Sequence, residues 1–400
     1  MSDLIAHIFT PLTLARCVLP NRLLRSATYE GMADAQGYPQ KALTTLYGNL
    51  VKKTPGTIIT GFCAVSRQGR AMHPHQGGIW DDSFIAPWRT LTETVKQLSP
   101  ESRLFMQLAH TGRQSRTEKT GQPLVGASSR RCSYFKQKVR ALQNEEIEAI
   151  ISDFAAAAWR AQQAGFDGVQ IHAAHGYLIH QFLSPHTNTR QDRWRDGGLL
   201  LARVVQAIRT VCGESFSLLI KVSYADDRGL DSDTVIRALQ PIENQLDAVE
   251  VSYGTMEYAL NIIRGDCPID AVLRVNPLFN RIPNVLKFLW KRCIYPFKRA
   301  AFKPFTSCYN LQGALRFKEN LTIPVIPVGG IHSLQDIDVC LRQHHFAAVS
   351  LSRPFIREPD LLAKIKGGAW GQSACCRCNL CTIYCDSPEP LRCRGARISV

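Results

Sequence analysis

The sequence predicts an α/β fold: a (β/α)8 TIM barrel with an insertion before strand 7 and a cysteine-rich C-terminal tail. Three observations predict it. Eight short β-rich runs recur along the 400 residues, several nearly continuous in apolar residues, as suits parallel strands covered by helices. Segments of helical periodicity separate them. No GxGxxG follows the first run, which removes the main signature of the rival doubly wound sheet. A barrel of this kind takes about 250 residues, so the chain has room for one barrel and additions.

The runs are Leu23–Ala27, Thr57–Thr60, Arg103–Leu108, Gly168–His172, Ser217–Val222, Ala248–Ser252, Val325–Val328 and Ala347–Leu351. LLIKV and PVIPV are the cleanest. Between the third and fourth runs, Ile147, Ile150, Ile151, Phe154, Ala158 and Ala161 recur at helical spacing. Asn144 is placed to cap that helix, Glu145 and Glu146 suit its dipole, and Gly165 stops it. Ser333 is placed to cap another. The expected organisation is a barrel over 1–370 and a tail over 371–400, with a basic and aromatic insertion at 271–310.

Composition limits the function classes. Hydrophobic residues at 45% and charged residues at 20% allow a sizeable core and exclude wholesale disorder. The net charge of +15 favours acidic partners without naming one. No run reaches the roughly 18 apolar residues of a membrane span. The N-terminal residues lack the basic and apolar pattern of an export signal. A cytoplasmic protein, not transmembrane, is the expectation. Fourteen cysteines agree with a reducing compartment. Six of them crowd into Cys375–Cys393, where metal or redox chemistry explains the density better than disulfides.

Between Ala271 and Lys303 stand eight Lys or Arg residues and no acid, interleaved with Phe279, Phe288, Trp290, Tyr295 and Phe297. An ordinary helical insertion packed on the barrel is the plain reading. The sharper ones are a peripheral membrane contact through 279–303 and a lid that attracts an anionic substrate.

In a barrel, chemistry gathers at the C-terminal ends of the strands. Tyr29 and Glu30 follow the first run, Gly61 the second, and Gln107, His110 and Arg113 the third. His172, His175 and Tyr177 follow the fourth, and Lys221 ends the fifth. Gly329 and Gly330 follow the seventh, and Ser352 and Arg353 the eighth. A glycine pair lets backbone N–H groups approach a phosphate, and arginine clamps one with its fork of donors. Simple turn chemistry would use the same glycines. His172 and His175 could ligate a metal, donate hydrogen bonds to a substrate carbonyl, or be structural. Lys221 could offset charge on an electron-rich ring or make a salt bridge. The tail offers Cys378, Cys381, Cys385 and Cys393 as four thiolates, with an alternative register starting at Cys375. Such a set suits iron–sulfur, zinc, or a nucleic-acid-binding knuckle, although the aromatic platforms of such a knuckle are missing.

Several stretches together resemble the old yellow enzyme family of flavin-dependent NAD(P)H oxidoreductases. They are NRLLRSATYEG at 21–31, Thr60-Gly61, QLAHTGRQ at 107–114, GVQIHAAHGYLIHQFLSPHTNTRQDRWRDGG at 168–198, IPVGGI at 326–331 and SRPFIREPDL at 352–361. The CxxCN at 375–379 resembles the tail of members related to bacterial 2,4-dienoyl-CoA reductase, matching their first domain. The resemblance implies non-covalent FMN, with NADH or NADPH as co-substrate. Ala27, Thr28 and Gly61 would line the flavin ring, Gln107 would bond its pyrimidine edge, and Lys221 would stand near its N1. Gly329, Gly330, Ser352 and Arg353 would hold the phosphate. His172 and His175 would bind a substrate oxygen and Tyr177 would donate a proton. The implied reaction is reduction of the C=C bond of a small α,β-unsaturated carbonyl, with no nucleic acid expected as partner. The tail cysteines would hold a 4Fe-4S cluster. Alternatives are a flavin dehydrogenase or demethylase, a dienoyl reductase-like enzyme with that cluster, and a non-enzymatic cysteine-knuckle module.

Overall fold

The computed structural model describes residues 2–395; residues 396–400, the end of the tail, lie outside the described residues. Eight strands make the barrel: β1 (Leu23–Arg25), β2 (Thr57–Ile59), β3 (Arg103–Ala109), β4 (Gly168–Ala173), β5 (Ser217–Ser223), β6 (Ala248–Ser252), β7 (Val325–Pro327) and β8 (Val349–Leu351). They pair in parallel in the order β7-β6-β5-β4-β3-β2-β1-β8. A parallel bridge between Val328 and Ser350 joins the two ends of that order. A two-residue strand, Cys63–Ala64, also pairs with β3. Every residue of β4, β5 and β6 is buried; their helix-facing residues are apolar, as a covered parallel sheet requires, while Gln170, Lys221 and Glu250 point polar groups into the barrel. All eight predicted runs are strands, shorter than expected at β1, β2, β7 and β8.

Helices α1 (Lys41–Val51), α2 (Ile85–Leu98), α3 (Asn144–Gln163), α4 (Gly197–Cys212) and α5 (Ser232–Leu239) cover the sheet from outside. The buried face of α3 carries the predicted residues, from Ile147 to Ala161. Its cap is not Asn144 but Gln143. The Gln143 side chain accepts from the third helical N–H, while Glu146 reaches back to the Gln143 N–H at 2.8 Å. This reciprocal box outcompetes a lone asparagine, and the Asn144 side chain instead accepts from the Trp194 indole at 2.8 Å. Gly165, at φ +82°, ends the turn as expected.

The insertion after β6 forms α6 (Ile269–Val275), α7 (Asn284–Cys293) and α8 (Tyr295–Ala300), before α9 (Leu311–Asn320) returns to the barrel. Ser333 caps α10 (Leu334–Asp338), its hydroxyl accepting from the Asp336 N–H at 3.1 Å. The tail runs back over the mouth of the barrel. The Ser373 hydroxyl donates to Glu358 at 2.7 Å, and the Leu391 N–H donates to the Glu30 carbonyl at 2.7 Å.

Candidate active site

The interior of the barrel at its C-terminal end holds a buried polar chain. The amide of Gln107 on β3 donates to Gln170 on β4 at 2.7 Å, and Gln170 donates to Glu250 on β6 at 2.8 Å. Lys221 on β5 stands 3.4 Å from Glu250 and donates to the Ser26 hydroxyl at 2.9 Å, while Ser26 donates to Glu250 at 2.6 Å. Strand register explains this: Lys221 lies opposite His172 on one side and Glu250 on the other. A buried cation needs such a partner.

Next along the mouth stand the histidines. His172 ends β4; its Nδ1 accepts the Ala174 N–H at 3.3 Å. The proton of the neutral ring therefore sits on Nε2, which is left as a donor. His175 adopts a left-handed φ of +61°, and its ring lies 5.1 Å from that of His172. Its Nε2 is 2.9 Å from the Ser252 hydroxyl, and its backbone N–H donates to Ser223 at 3.0 Å. The Tyr177 ring lies 4.8 Å from His172, and Phe62 packs 5.3 Å from Tyr177. Burial, then the charge of Lys221, holds the His172 pKa well below the ordinary histidine range. Burial, then His172, does the same to His175. Burial also raises the Tyr177 phenol, so it stays protonated. The site thus offers neutral donors and one proton-bearing phenol.

Ala27 and Thr28 are half-buried beside this chain. Gly61 has a further reason to be glycine: its N–H donates to Glu30 at 2.9 Å, and an added Cβ would fall 2.1 Å from that carboxylate. Glu30 is also held by Tyr47 at 2.7 Å and Arg25 at 2.8 Å.

At the other side of the mouth, Gly329 and Gly330 have φ of +117° and +78°. A Cβ on Gly330 would lie 2.7 Å from the Thr306 carbonyl and the Cys308 N–H nitrogen. Ser352, at φ −113°, needs no glycine. Arg353 uses Nη1 twice, to the Arg264 carbonyl at 2.9 Å and to Asn379 in the tail at 2.7 Å. Among the described residues its Nε and Nη2 have no hydrogen-bond partner.

The predicted cysteines divide. Cys378, Cys381 and Cys393 line one cavity with Cys375, Cys376, Arg353 and Arg357. Cys385 does not line it. Its thiol is buried toward Tyr29 and Tyr177, and burial pushes it well up. The cavity thus brings together Cys375, Cys378 and Cys381 of one register and all but Cys385 of the other. Among the described residues, no three His, Cys, Asp or Glu side chains are placed to hold one metal ion.

The sequence profile of the NADH:flavin oxidoreductase / NADH oxidase family matches residues 7–255. The chain belongs to that family. Similar relatives include the 4,4'-dithiodibutanoate disulfide reductase of Rhodococcus erythropolis, 28% identical over 392 residues, 94% of this chain and 93% of that one. The NADPH dehydrogenase of Bacillus subtilis (strain 168) is 31% identical over 271 residues, 64% and 77% of the two chains. The metal reductase of Desulforamulus reducens is 28% identical over 397 residues, and this chain spans only 53% of its length. Among solved structures, the old yellow enzyme homologue from Zymomonas mobilis superposes with a TM-score of 0.70 at 21% identity, covering 92% and 94% of the chains. A 2-naphthoyl-CoA reductase does so with 0.79 at 18% identity, over 97% of this chain and 56% of that one. These two likenesses show the fold. As a member of the old yellow enzyme family the chain is an NAD(P)H-dependent flavin oxidoreductase, and membership implies FMN.

The spacing of motifs missed four residues of this site: Ser26, Gln170, Glu250 and Ser252. One signal was available, a glutamate in the middle of the apolar run AVEVS.

Proposed function

We propose that the protein reduces the C=C bond of small α,β-unsaturated carbonyl compounds at the mouth of the barrel. The observation that carries this is the pair of neutral histidines beside Tyr177, with the His172 Nε2–H free to donate. The groups present suit FMN: a buried cation at Lys221, a free amide face at Gln107, a left-handed glycine pair, and two unspent Arg353 nitrogens. Ala27, Thr28, Gly61, Gln107 and Lys221 would hold the ring, and Gly329, Gly330, Ser352 and Arg353 the phosphate. Bound FMN would accept electrons from NADH or NADPH and deliver them to the substrate.

The chain's own residues do the rest. His172 and His175 bind the carbonyl oxygen as it gains negative charge, a task for fixed, desolvated donors. Tyr177 holds the proton that the adjacent carbon receives. Phe62, buried against the Tyr177 ring, excludes water.

The test is phenol binding to the FMN-loaded protein, followed by its visible charge-transfer absorbance. His172→Ala with His175→Ala should weaken phenol affinity by about tenfold or more, the worth of one or two buried hydrogen bonds, while FMN stays bound. Because both rings are neutral, wild-type affinity should stay flat from about pH 6 to 8. Unchanged phenol affinity in the double variant would remove the substrate role.

The finer cofactor reading is a 4Fe-4S cluster on the cysteine cavity. Thiolate chemistry favours it, and the five cysteines around one cavity support it. Among the described residues those thiols are not placed as a ligand set; iron and sulfide content of anaerobically purified protein tests the reading.

A further inference from the structure

Helix α7 is built inside out. Lys287, Trp290 and Lys291 are its half-buried residues, and Lys291 reaches Asp270 at 2.6 Å. Val285, Phe288, Leu289 and Arg292, at i, i+3, i+4 and i+7, make the opposite face. There Val285 is 72%, Phe288 64% and Leu289 49% exposed. Phe297 on α8 is 80% exposed. No residue of either helix is buried. A helix covering a core in water does the reverse, turning apolar residues in and charges out.

Charge adds a second observation. Within 271–303, among the described residues, only Lys291 and Lys303 have acidic partners, Asp270 and Asp227. Among the described residues, Arg281, Lys287, Arg292, Lys298 and Arg299 make no ion pair. Large apolar groups and uncompensated cations therefore share one projecting surface. It hangs from the C-terminal end of β6, the end at which the histidines stand.

We propose that α7 and α8 seat the protein on an anionic lipid surface. Phe288, Leu289 and Phe297 would enter the headgroup–acyl boundary, and the cations would lie on the headgroups. A nucleic acid would satisfy the cations but leave Val285, Leu286 and Leu289 in water. A second copy of the same surface would set like charges together. Helices of 10 and 6 residues are too short to cross a bilayer and long enough to lie on one. The inference does not depend on the proposed reaction, because its readout is binding.

The experiment is cosedimentation of the FMN-loaded full chain with vesicles of phosphatidylcholine alone or with about 30% phosphatidylserine. The anionic vesicles should bind at least about tenfold more tightly, with loss of binding as salt rises. Two exposed variants separate the contributions: Phe288→Ser with Phe297→Ser, and Arg292→Gln with Lys298→Gln and Arg299→Gln. The first should weaken binding at least about tenfold and the second on the order of a hundredfold, at unchanged FMN content and circular dichroism. Equal binding to both vesicle types, no binding to either, or binding that neither variant weakens would overturn the proposal. So would tight retention of RNA or an acidic protein without vesicle binding.

Discussion

Single residues at this site are set by what they cannot do. His110 is buried beside the site, with Nδ1 accepting the Gly112 N–H at 3.1 Å and Nε2 without a partner among the described residues. Burial lowers its pKa to about 4 from 6.5. Between those values the unfolded chain binds a proton that the folded one refuses, so stability falls as pH drops below 6.5 and is unaffected above it. By pH 4 this one group would cost on the order of 3 kcal/mol. Urea unfolding at several pH values should show that loss, and His110→Asn, which keeps an acceptor for Gly112, should make the acid slope shallower. Parallel profiles for the two proteins would count against it. Glu250 and Ser252 teach a related lesson. Their motifs say nothing, yet a charge amid AVEVS must be paired, because an unpaired buried carboxylate is too costly.

Among the elements, the loop after β7 is tightly constrained. Gly330 combines a left-handed φ with a backbone wall at 2.7 Å. Gly368 shares the positive φ, +71°, with nothing within 4 Å. Gly330→Ala should lower the flavin-to-protein ratio and cost more than about 1 kcal/mol. Gly368→Ala should show only the backbone strain and keep its flavin. Flavin absorbance against protein concentration checks both, and equal flavin content would count against the proposed phosphate role of Gly330. The tail is coupled to this loop and to the one after β8: the Ser373 N–H donates to the His332 carbonyl at 2.8 Å, and Asn379, itself at φ +58°, accepts from the Arg353 guanidinium at 2.7 Å. The tail's part in the site was not legible from spacing. Two cysteine registers fit the same string, and only the path of the chain over the mouth separates Cys385 from the others.

For the whole molecule, the barrel was readable because its strands are apolar runs that only a covered parallel sheet tolerates. The pocket residues at strand ends followed from that placement and from the resemblance. The insertion was not readable to the same degree, since Val285, Phe288 and Leu289 have the spacing of a packed helix and yet face outward. Cofactor binding should be a global property. The proposed FMN contacts come from β1, β2, β3, β5, β7 and β8, so a ligand there is linked to folding of the whole barrel. Excess FMN at about a hundredfold its Kd should stabilise stripped protein by roughly 2.7 kcal/mol, a rise in melting temperature of several degrees. A melting curve indifferent to FMN would mean that the folded barrel has no such site.

The pairing of β1 with β8 sets a timing problem for the newborn chain. Leu23–Arg25 leave the ribosome first, but their partners Val349–Leu351 are made more than three hundred residues later. At about 5–20 residues per second, the first strand waits on the order of tens of seconds with one edge unpaired. Three residues is a short edge, with Arg22 and Arg25 at its two ends, and short, charged edges are poor templates for another chain. The brevity of β1 thus protects the protein during the interval when the barrel cannot yet close.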